Sequence, residues 1–249
     1  ATSTTLTVIV PPGVTAGPVT VSNTGGTATG PSFTPLPNNG VSFWKAEDSG
    51  LDGIAANTAT AQNLATFAPG KLGRGFSFDG VDDHFTIPDD NSLDYNAATS
   101  FTLSMWVNPD VHVAKQRMFS KGSSGWSKGW HTALVAGGST IIFELSDGIG
   151  APGQSFNYAG GYTVNTWQHI VHVVDKSVPE IRLYTNGVFR QSFAITEGLD
   201  FSVNALPVHL GHNGEGPPHE YFDGRMDETH LFSRALSAAE VQQLYDAFK

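Results

Sequence analysis

Cysteine is absent from this chain of 249 residues. Cytosolic proteins usually retain a few thiols, so the absence fits an exported protein that avoids uncontrolled disulfides. Long apolar runs are absent as well, since no stretch approaches the roughly 18 residues of a membrane-spanning helix. Ala1 precedes Thr and Ser rather than the basic and apolar segments of a signal peptide. We therefore expect a mature or excised piece of a secreted or cell-surface protein, without membrane insertion.

Basic charge is scarce. Charged residues make up 14% of the chain, and 13 Lys and Arg oppose 23 Asp and Glu, which gives a formal net charge of −10. An acidic surface repels nucleic-acid phosphates and anionic lipid headgroups, so neither is an expected partner. The spare carboxylates are instead oxygen ligands of the kind that calcium prefers.

Short runs of alternating apolar and polar residues recur from Val41 onward, separated by the turn dipeptides Asp79-Gly80, Asp147-Gly148 and Asn186-Gly187. The clearest runs cover residues 76–78, 84–87, 101–107, 141–145, 169–174 and 181–184. Evenly spaced short strands with tight turns predict an all-β fold, an antiparallel two-sheet sandwich. One short C-terminal helix is predicted, because Ser237 and Glu240 form a capping-box pattern. An apolar stripe follows at Val241, Leu244, Tyr245 and Phe248.

Residues 1–37 differ from the rest, since they contain no Lys, Arg, Asp, Glu or His. A strand pattern at Leu6–Val10, the "PPGVTAGPVTV" step and the "GGTATGPSF" ending resemble the C-terminal part of an IPT/TIG immunoglobulin-like domain. We predict a small N-terminal β fragment and linker at 1–37 and a second domain at 38–249. Three strands bury too little core to be stable alone. The fragment is therefore a trimmed remnant, packs on the sandwich, or is completed by strands of another chain.

The second domain resembles the laminin-G-like jelly-roll family, within the concanavalin A-like lectins and glucanases. The resemblance rests on residues 43–47 with Asp52, "FAPGKLGRGFSFDGVDDHFTIPD" at 67–89, "SFTLSMWVNPD" at 100–110, "WQHIVHVVD" at 167–175, "IRLYTNGV" at 181–188 and "FDGRMDETHLFSRALSAAEVQQLY" at 222–245. It implies a jelly-roll sandwich and a secreted or surface-attached module. Because one fold hosts many functions, it names no ligand.

The resemblance also implies a calcium ion at one edge of the sandwich, held by Glu47, Asp52 and Asp227. The alternative is a solvated acidic loop in which Asp227 caps a turn. The acidic segment 79–83 is interpreted as a tight turn rather than a calcium loop. Glu228 is expected to pair with Arg234, because a half-buried carboxylate needs such a partner.

Glycan binding needs aromatic faces for the apolar side of a pyranose and polar groups for its hydroxyls. Three loops rich in Gly and aromatic residues could supply them, and the candidate ligand-binding residues are Trp126, Trp130, Tyr158, Tyr162, His212, Asn213 and Tyr221. For Trp130 and Tyr162, core packing is the competing interpretation. The tryptophans at 44, 106 and 167 lie in strand patterns and are expected in the core.

No catalytic site is predicted. The Glu-x-Asp-x-x-Glu triplet of glucanases with this fold does not occur, and Asp227 and Glu228 should alternate to opposite faces of a strand. The nine histidines show no HExxH spacing, and His169 and His172 should face opposite ways, so we interpret them as scattered surface residues.

Three functions remain open. The first is a non-catalytic, calcium-stabilised carbohydrate-binding module whose partner is a polysaccharide or other glycan. The second is a structural or adhesive subunit of a fibre or surface layer, which associates with other copies through its N-terminal strands. The third is a glycoside hydrolase or lyase with an unfamiliar site.

Overall fold

The computed structural model describes residues 17–33, 35–112, 115–122, 129–148, 153–200, 202, 205–214 and 220–249. Within these ranges the chain forms seventeen strands, a short 3-10 turn at Asn91–Leu93 and one α-helix. The strands are β1 (Gly17–Asn23), β2 (Gly26–Phe33), β3 (Gly40–Trp44), β4 (Thr60–Gln62), β5 (Thr66–Pro69), β6 (Arg74–Asp79), β7 (His84–Ile87), β8 (Phe101–Pro109), β9 (Gln116–Lys121), β10 (Gly129–Val135), β11 (Thr140–Ser146), β12 (Gln154–Tyr158), β13 (Gln168–Asp175), β14 (Glu180–Thr185), β15 (Val188–Ala194), β16 (Val208–Leu210) and β17 (Asp223–Phe232). The helix α1 spans Ala238–Phe248.

The strands from β3 onward form two antiparallel sheets, which confirms the predicted jelly-roll sandwich. In the described part of the chain, the first sheet has seven strands in the order β12-β11-β10-β9-β16-β7-β4. The second has eight, in the order β15-β14-β13-β8-β17-β6-β5, with β3 paired to β17. Strands distant in sequence are neighbours in both sheets, so the fold depends on long-range pairing.

The N-terminal residues form a separate hairpin. β1 and β2 pair with each other across a turn at Thr24 and Gly25. The predicted strand at Leu6–Val10 lies outside the described residues, and the IPT/TIG resemblance of 1–37 stays a prediction. So does the domain boundary at residue 38.

The core lies between the two sheets. On β8, Phe101, Leu103 and Met105 are fully buried in it. The Phe101 ring is 5.4 Å from Trp130 on the opposite sheet, and Trp130 stacks on Phe119 at 5.3 Å. The alternate apolar residues of β8 thus face this core, while Thr102 and Ser104 between them are also buried, on the other face of the strand. At the β14–β15 turn, Asn186 and Gly187 both have positive φ, as a type I′ hairpin requires.

Helix α1 covers the outer face of the eight-stranded sheet. Its Val241 and Leu244 are buried against Val171 and Tyr184 of that sheet. The predicted capping box is present, because the Glu240 amide donates to Ser237 Oγ and the Ser237 amide donates to Glu240. No described helix has the length and apolar character needed to cross a membrane.

The predicted partner of Arg234 is wrong. Arg234 pairs with Glu240 of the capping box, and its guanidinium, by hydrogen bonding to the carboxylate, lowers the pKa of Glu240 to about 2. Glu228 is therefore left without this cation, which bears on the acidic edge described below.

Candidate functional site

The outer face of the seven-stranded sheet carries a continuous row of polar side chains. Cross-strand pairing aligns one residue from each strand, and Val208 and Leu210, which flank one member of the row, point into the core. The row consists of Ser155, Glu144, His131, Ser120, His209, Thr86 and Thr60. We call it the polar row. The polar row gives the outer face of this sheet hydrogen-bonding groups. The outer face of the other sheet is covered by helix α1.

A buried ion network holds the middle of the polar row. Arg117 donates to Glu144 and to Glu220, and Lys115 donates to Glu144 at 2.9 Å. Burial raises the pKa of Glu144, but Arg117 and Lys115 outweigh it and the net pKa is lowered. The same burial, with Arg117 nearby, keeps the pKa of His131 well below its usual value. These charges neutralise one another, so the network offers no free charge to a ligand. Its structural effect is to hold Glu220 against the sheet.

Three histidines come together where the polar row crosses β16 and β7. His84, His209 and His212 each place one ring nitrogen so that the three nitrogens lie within 4.8 Å of one another. Tyr221 stacks on His212, with ring centroids 4.5 Å apart and planes 10° apart. Burial, followed by the charge of His84, lowers the pKa of His209 to about 4, so this ring is neutral at pH 7. We call these three residues the histidine cluster.

The histidines are not scattered over the surface, as the sequence analysis expected. Most of those described are buried, namely His131, His169, His172, His209, His212 and His230. The prediction that His169 and His172 face opposite sides is confirmed: His169 lies 2.8 Å from Ser104 beneath helix α1, whereas His172 points into the core. These buried histidines were expected at the surface because the sequence does not reveal the hydrogen-bond partners that make their burial possible.

Two of the predicted ligand-binding aromatics belong to the interior. Trp130 is 0% exposed and Tyr162 is 4% exposed, so neither ring can offer a face to a sugar. The pairing of β10 with β9 and β11 directs Trp130 inward, and Tyr162 stacks on His112 at 5.0 Å. The prediction is wrong for both residues. Trp126 lies outside the described residues.

The remaining candidates do not converge. Tyr158 ends β12, at one edge of the seven-stranded sheet, and packs half-buried against the core. His212 and Tyr221 lie beyond β16, which is four strand spacings, or about 19 Å, from β12. Asn213 is buried, so its side chain offers little surface to a ligand. Trp167, expected in the core, is half-exposed, with the Arg225 guanidinium 5.8 Å from its ring.

Two of the three predicted calcium ligands contact one loop. The Asp227 carboxylate accepts from the Leu72 amide at 3.0 Å, and the Glu47 carboxylate accepts from the Arg74 amide at 3.2 Å. The loop approaches so closely that a Cβ on Gly73 would lie 2.2 Å from Glu47 Oε1. Asp52 is directed elsewhere, since its Oδ1 accepts from the amides of Phe43 and Ile54 at 2.9 Å. The three carboxylates therefore do not form one set within 4.8 Å among the described residues.

Glu228 brings a further carboxylate to this edge. A β-bulge lies between Asp227 and His230, with Glu228 at φ 46, so the strict alternation expected for Asp227 and Glu228 is interrupted. Glu228 Oε2 is buried without a hydrogen-bond partner among the described residues. Burial, and then the charge of Asp227, raises the pKa of Glu228 to about 8. Burial raises the pKa of Asp227 to about 6. We call Glu47, Asp227 and Glu228 the acidic edge.

The acidic segment 79–83 forms a tight turn, in agreement with the sequence interpretation. Asp79 Oδ1 accepts from the amides of Val81, Asp82 and Asp83 at 2.9 to 3.4 Å. The oxygens of Asp79, Asp82 and Asp83 also lie within 4.8 Å of one another. The amide donors explain this geometry without an ion.

One cleft was not anticipated from the sequence. It has a volume of about 340 Å³ and lies between the β13–β14 turn and the segment after β15. Its lining includes Lys176, Ser177, Pro179, Ile195, Glu197 and Leu199. Lys176 donates to the Leu199 carbonyl at 2.7 Å, and burial lowers its pKa to about 8. The volume suits a small ligand, but the described lining has no aromatic ring for a pyranose.

Solved structures of similar fold include the binding domains of clostridial toxins and one domain of an extracellular arabinanase. The binding domain of Paraclostridial Mosquitocidal Protein 1 is 19% identical, with a TM-score of 0.66 over 85% of this chain and 52% of that chain. Domain 4 of AbnA, a GH43 extracellular arabinanase from Geobacillus stearothermophilus, solved with arabinotriose, is 19% identical, with a TM-score of 0.65 over 83% of this chain and 98% of that chain. The Botulinum neurotoxin serotype G binding domain is 17% identical, with a TM-score of 0.66 over 84% and 51%.

Sequence comparison agrees. Paraclostridial mosquitocidal protein 1 of Paraclostridium bifermentans is 22% identical over 172 residues, which are 63% of this chain and 13% of that protein. The chain thus matches a small part of this curated relative. The family model described as Laminin_G_3, concanavalin A-like lectin/glucanases superfamily, matches residues 79–242. The chain therefore belongs to the Laminin_G_3 family of concanavalin A-like domains.

Proposed function

We propose that this chain is a non-catalytic carbohydrate-binding module of a secreted or cell-surface bacterial protein. Family membership and the similar arabinanase domain solved with arabinotriose support a glycan as the partner. The toxin binding domains of the same fold support a recognition role outside the cell. On this proposal the domain brings a larger protein to a polysaccharide and does not cleave it.

We place the glycan contact at Tyr221 and the neighbouring histidines. The stacking of Tyr221 on His212 carries this assignment, because it presents a half-exposed aromatic ring beside hydrogen-bonding imidazoles. His84 is also half-exposed, and its ring lies 5.0 Å from His212. Aromatic stacking on the apolar side of a sugar, with polar groups at the rim, is the usual form of such sites.

Affinity electrophoresis against a panel of polysaccharides, arabinan included, tests the proposal. We expect retarded migration of the wild-type chain in at least one gel and no release of reducing sugar. Tyr221→Ala should abolish the retardation, whereas Tyr158→Ala, at the opposite edge of the sheet, should preserve it. An unretarded wild type across the panel, with and without calcium, would refute glycan binding. Retention unchanged in Tyr221→Ala would refute this location.

We also propose that calcium stabilises the acidic edge. The buried Glu228 Oε2, which has no hydrogen-bond partner among the described residues, supports it. The raised pKa values of Asp227 and Glu228 support it too, because burial and the neighbouring carboxylates disfavour their ionised forms unless a cation compensates the charge. Glu47 and Asp227 would hold the ion, and Asp52, which caps the turn at Phe43, would support the first strand instead. Calcium there would fix the loop at Gly73 rather than take part in chemistry.

Self-association is a second candidate function. Among the described strands, β1 and β2 pair only with each other, and their Val19 and Val21 side chains are exposed. Such open edges accept further strands. Light scattering tests the idea: mass that rises with concentration supports association between copies, and a constant monomer mass contradicts it.

A further inference from the structure

The histidine cluster is built by strand pairing and one turn. His209 on β16 is opposite Thr86 on β7, and His84 precedes Thr86 by two residues, so His84 and His209 lie diagonally on one face. β16 ends at Leu210, and Gly211 follows with φ 82. This left-handed residue turns the chain and brings His212 back toward the other two rings.

Two rings of the cluster have a polar contact at Nδ1, and for His84 the partner fixes the tautomer. His84 Nδ1 lies 3.0 Å from the Asp82 carbonyl oxygen, which can only accept, so Nδ1 carries the proton and Nε2 keeps its lone pair. His209 Nδ1 lies 3.4 Å from Thr86 Oγ1, which engages the corresponding atom of the second ring. In metal sites a histidine usually donates its second N–H to an oxygen in this way, which fixes ring orientation and tautomer.

Packing holds the cluster in place. His209 and His212 are 8% and 6% exposed, and Tyr221 stacks on the His212 ring. A buried group held by its neighbours loses little conformational entropy on binding. Ring nitrogens at about 2.0–2.1 Å from a tetrahedral metal lie about 3.3 Å apart, so the present separations within 4.8 Å need only small side-chain rotations.

We propose that His84, His209 and His212 bind a divalent transition-metal ion of the zinc class. Imidazole nitrogens suit zinc, copper and nickel, whereas calcium and magnesium prefer oxygen ligands. Three protein ligands leave one coordination position open to water or to a hydroxyl from outside. The proposal is separate from calcium at the acidic edge, which uses carboxylates, and it does not rest on glycan binding.

Titration calorimetry of the full chain, freed of metal by chelator and dialysis, tests the site with zinc chloride alone. We expect one zinc ion per chain and an affinity at least about tenfold weaker in His84→Ala. His112→Ala is the matched control, since His112 contacts Tyr162 away from the cluster, and it should bind as the wild type does. Circular dichroism establishes that each variant is folded.

Measurements on the wild type keep the test decisive if His84→Ala does not fold. Cobalt should give the visible absorption of a four-coordinate ion, and zinc should shift the ring NMR signals of all three histidines. Absence of binding at zinc concentrations up to about 1 mM would overturn the proposal. So would equal zinc affinity in a folded His84→Ala, or unshifted ring signals of the three histidines. Zinc binding with no polysaccharide retention would refute only the proposed function.

Discussion

Thr132 and His172 meet across the core of the sandwich, with Thr132 Oγ1 3.0 Å from His172 Nε2. Thr132 lies on β10 of the seven-stranded sheet and His172 on β13 of the eight-stranded sheet, so this contact joins the two layers. His172 also stacks on Phe143 at 4.5 Å. Burial lowers the pKa of His172 to about 3, which keeps the imidazole neutral in the folded protein.

The burial of His172 predicts that the folded protein becomes less stable in acid. The folded pKa of His172 lies below the unfolded value of about 6.5, so the unfolded chain binds one more proton between these values. The contribution of His172 to stability is therefore complete above pH 6.5 and is lost as the pH drops toward 3. His169 and His230, whose pKa burial also lowers to about 3, act in the same direction.

His172→Gln should reduce this dependence. We expect the free energy of unfolding, measured by urea titration between pH 6 and pH 4, to change less steeply by about 1.4 kcal/mol per pH unit. His112→Gln, at an exposed histidine, should leave the slope unaltered. An unchanged slope in His172→Gln would show that His172 does not stay neutral in the folded state.

Arg117→Met should destabilise the protein by about 3 kcal/mol, because it leaves Glu144 and Glu220 without their shared guanidinium. Asp48→Ala is the control: this carboxylate pairs with Arg74 at the surface and should cost less than about 1 kcal/mol. Urea denaturation measures both. Equal losses in the two variants would contradict a structural role for the buried network.

Ser237→Ala should cost about 1 kcal/mol, because it removes the side chain that accepts from the Glu240 amide at the start of helix α1. Ser233→Ala, at an exposed residue before the helix, is the matched control and should be near neutral. Thermal unfolding followed at a helix-sensitive wavelength compares them. A neutral Ser237→Ala would mean that docking of Val241 and Leu244 alone maintains the helix.

Calcium should raise the unfolding free energy of the wild type by about 2.7 kcal/mol at a hundredfold excess over its dissociation constant, and chelator should reverse the gain. Asp227→Asn should lose this response. Asp246→Asn, on the exposed side of helix α1, should keep it. Elemental analysis with no calcium, together with an unfolding temperature unaffected by chelator, would refute the calcium proposal.

Local sequence determined the elements of this fold. Alternation with period two predicted β8, β11, β13 and β14, and Asn186-Gly187 predicted the hairpin that follows β14. Ser237 and Glu240 predicted the helix start, because a capping box involves residues only three apart. Each of these signals lies within a few residues of the structure that it specifies, so a single sequence suffices to identify it.

Tertiary structure alone decided which side chains share a site. Trp130 looked like a loop aromatic, but pairing of β10 with β9 and β11 turned it into the core. Asp52 looked like a partner of Glu47, but the Phe43 and Ile54 amides hold it in a turn.

The histidine cluster shows the same limit most clearly. His84 and His209 come together because β7 pairs with β16, a strand far along the chain. The sequence by itself determined the alternation of the strands, the tight turns and the helix cap, because each of these depends on neighbouring residues. The meeting of distant strands depends on how two sheets bury their apolar faces together, and only the folded chain decides that.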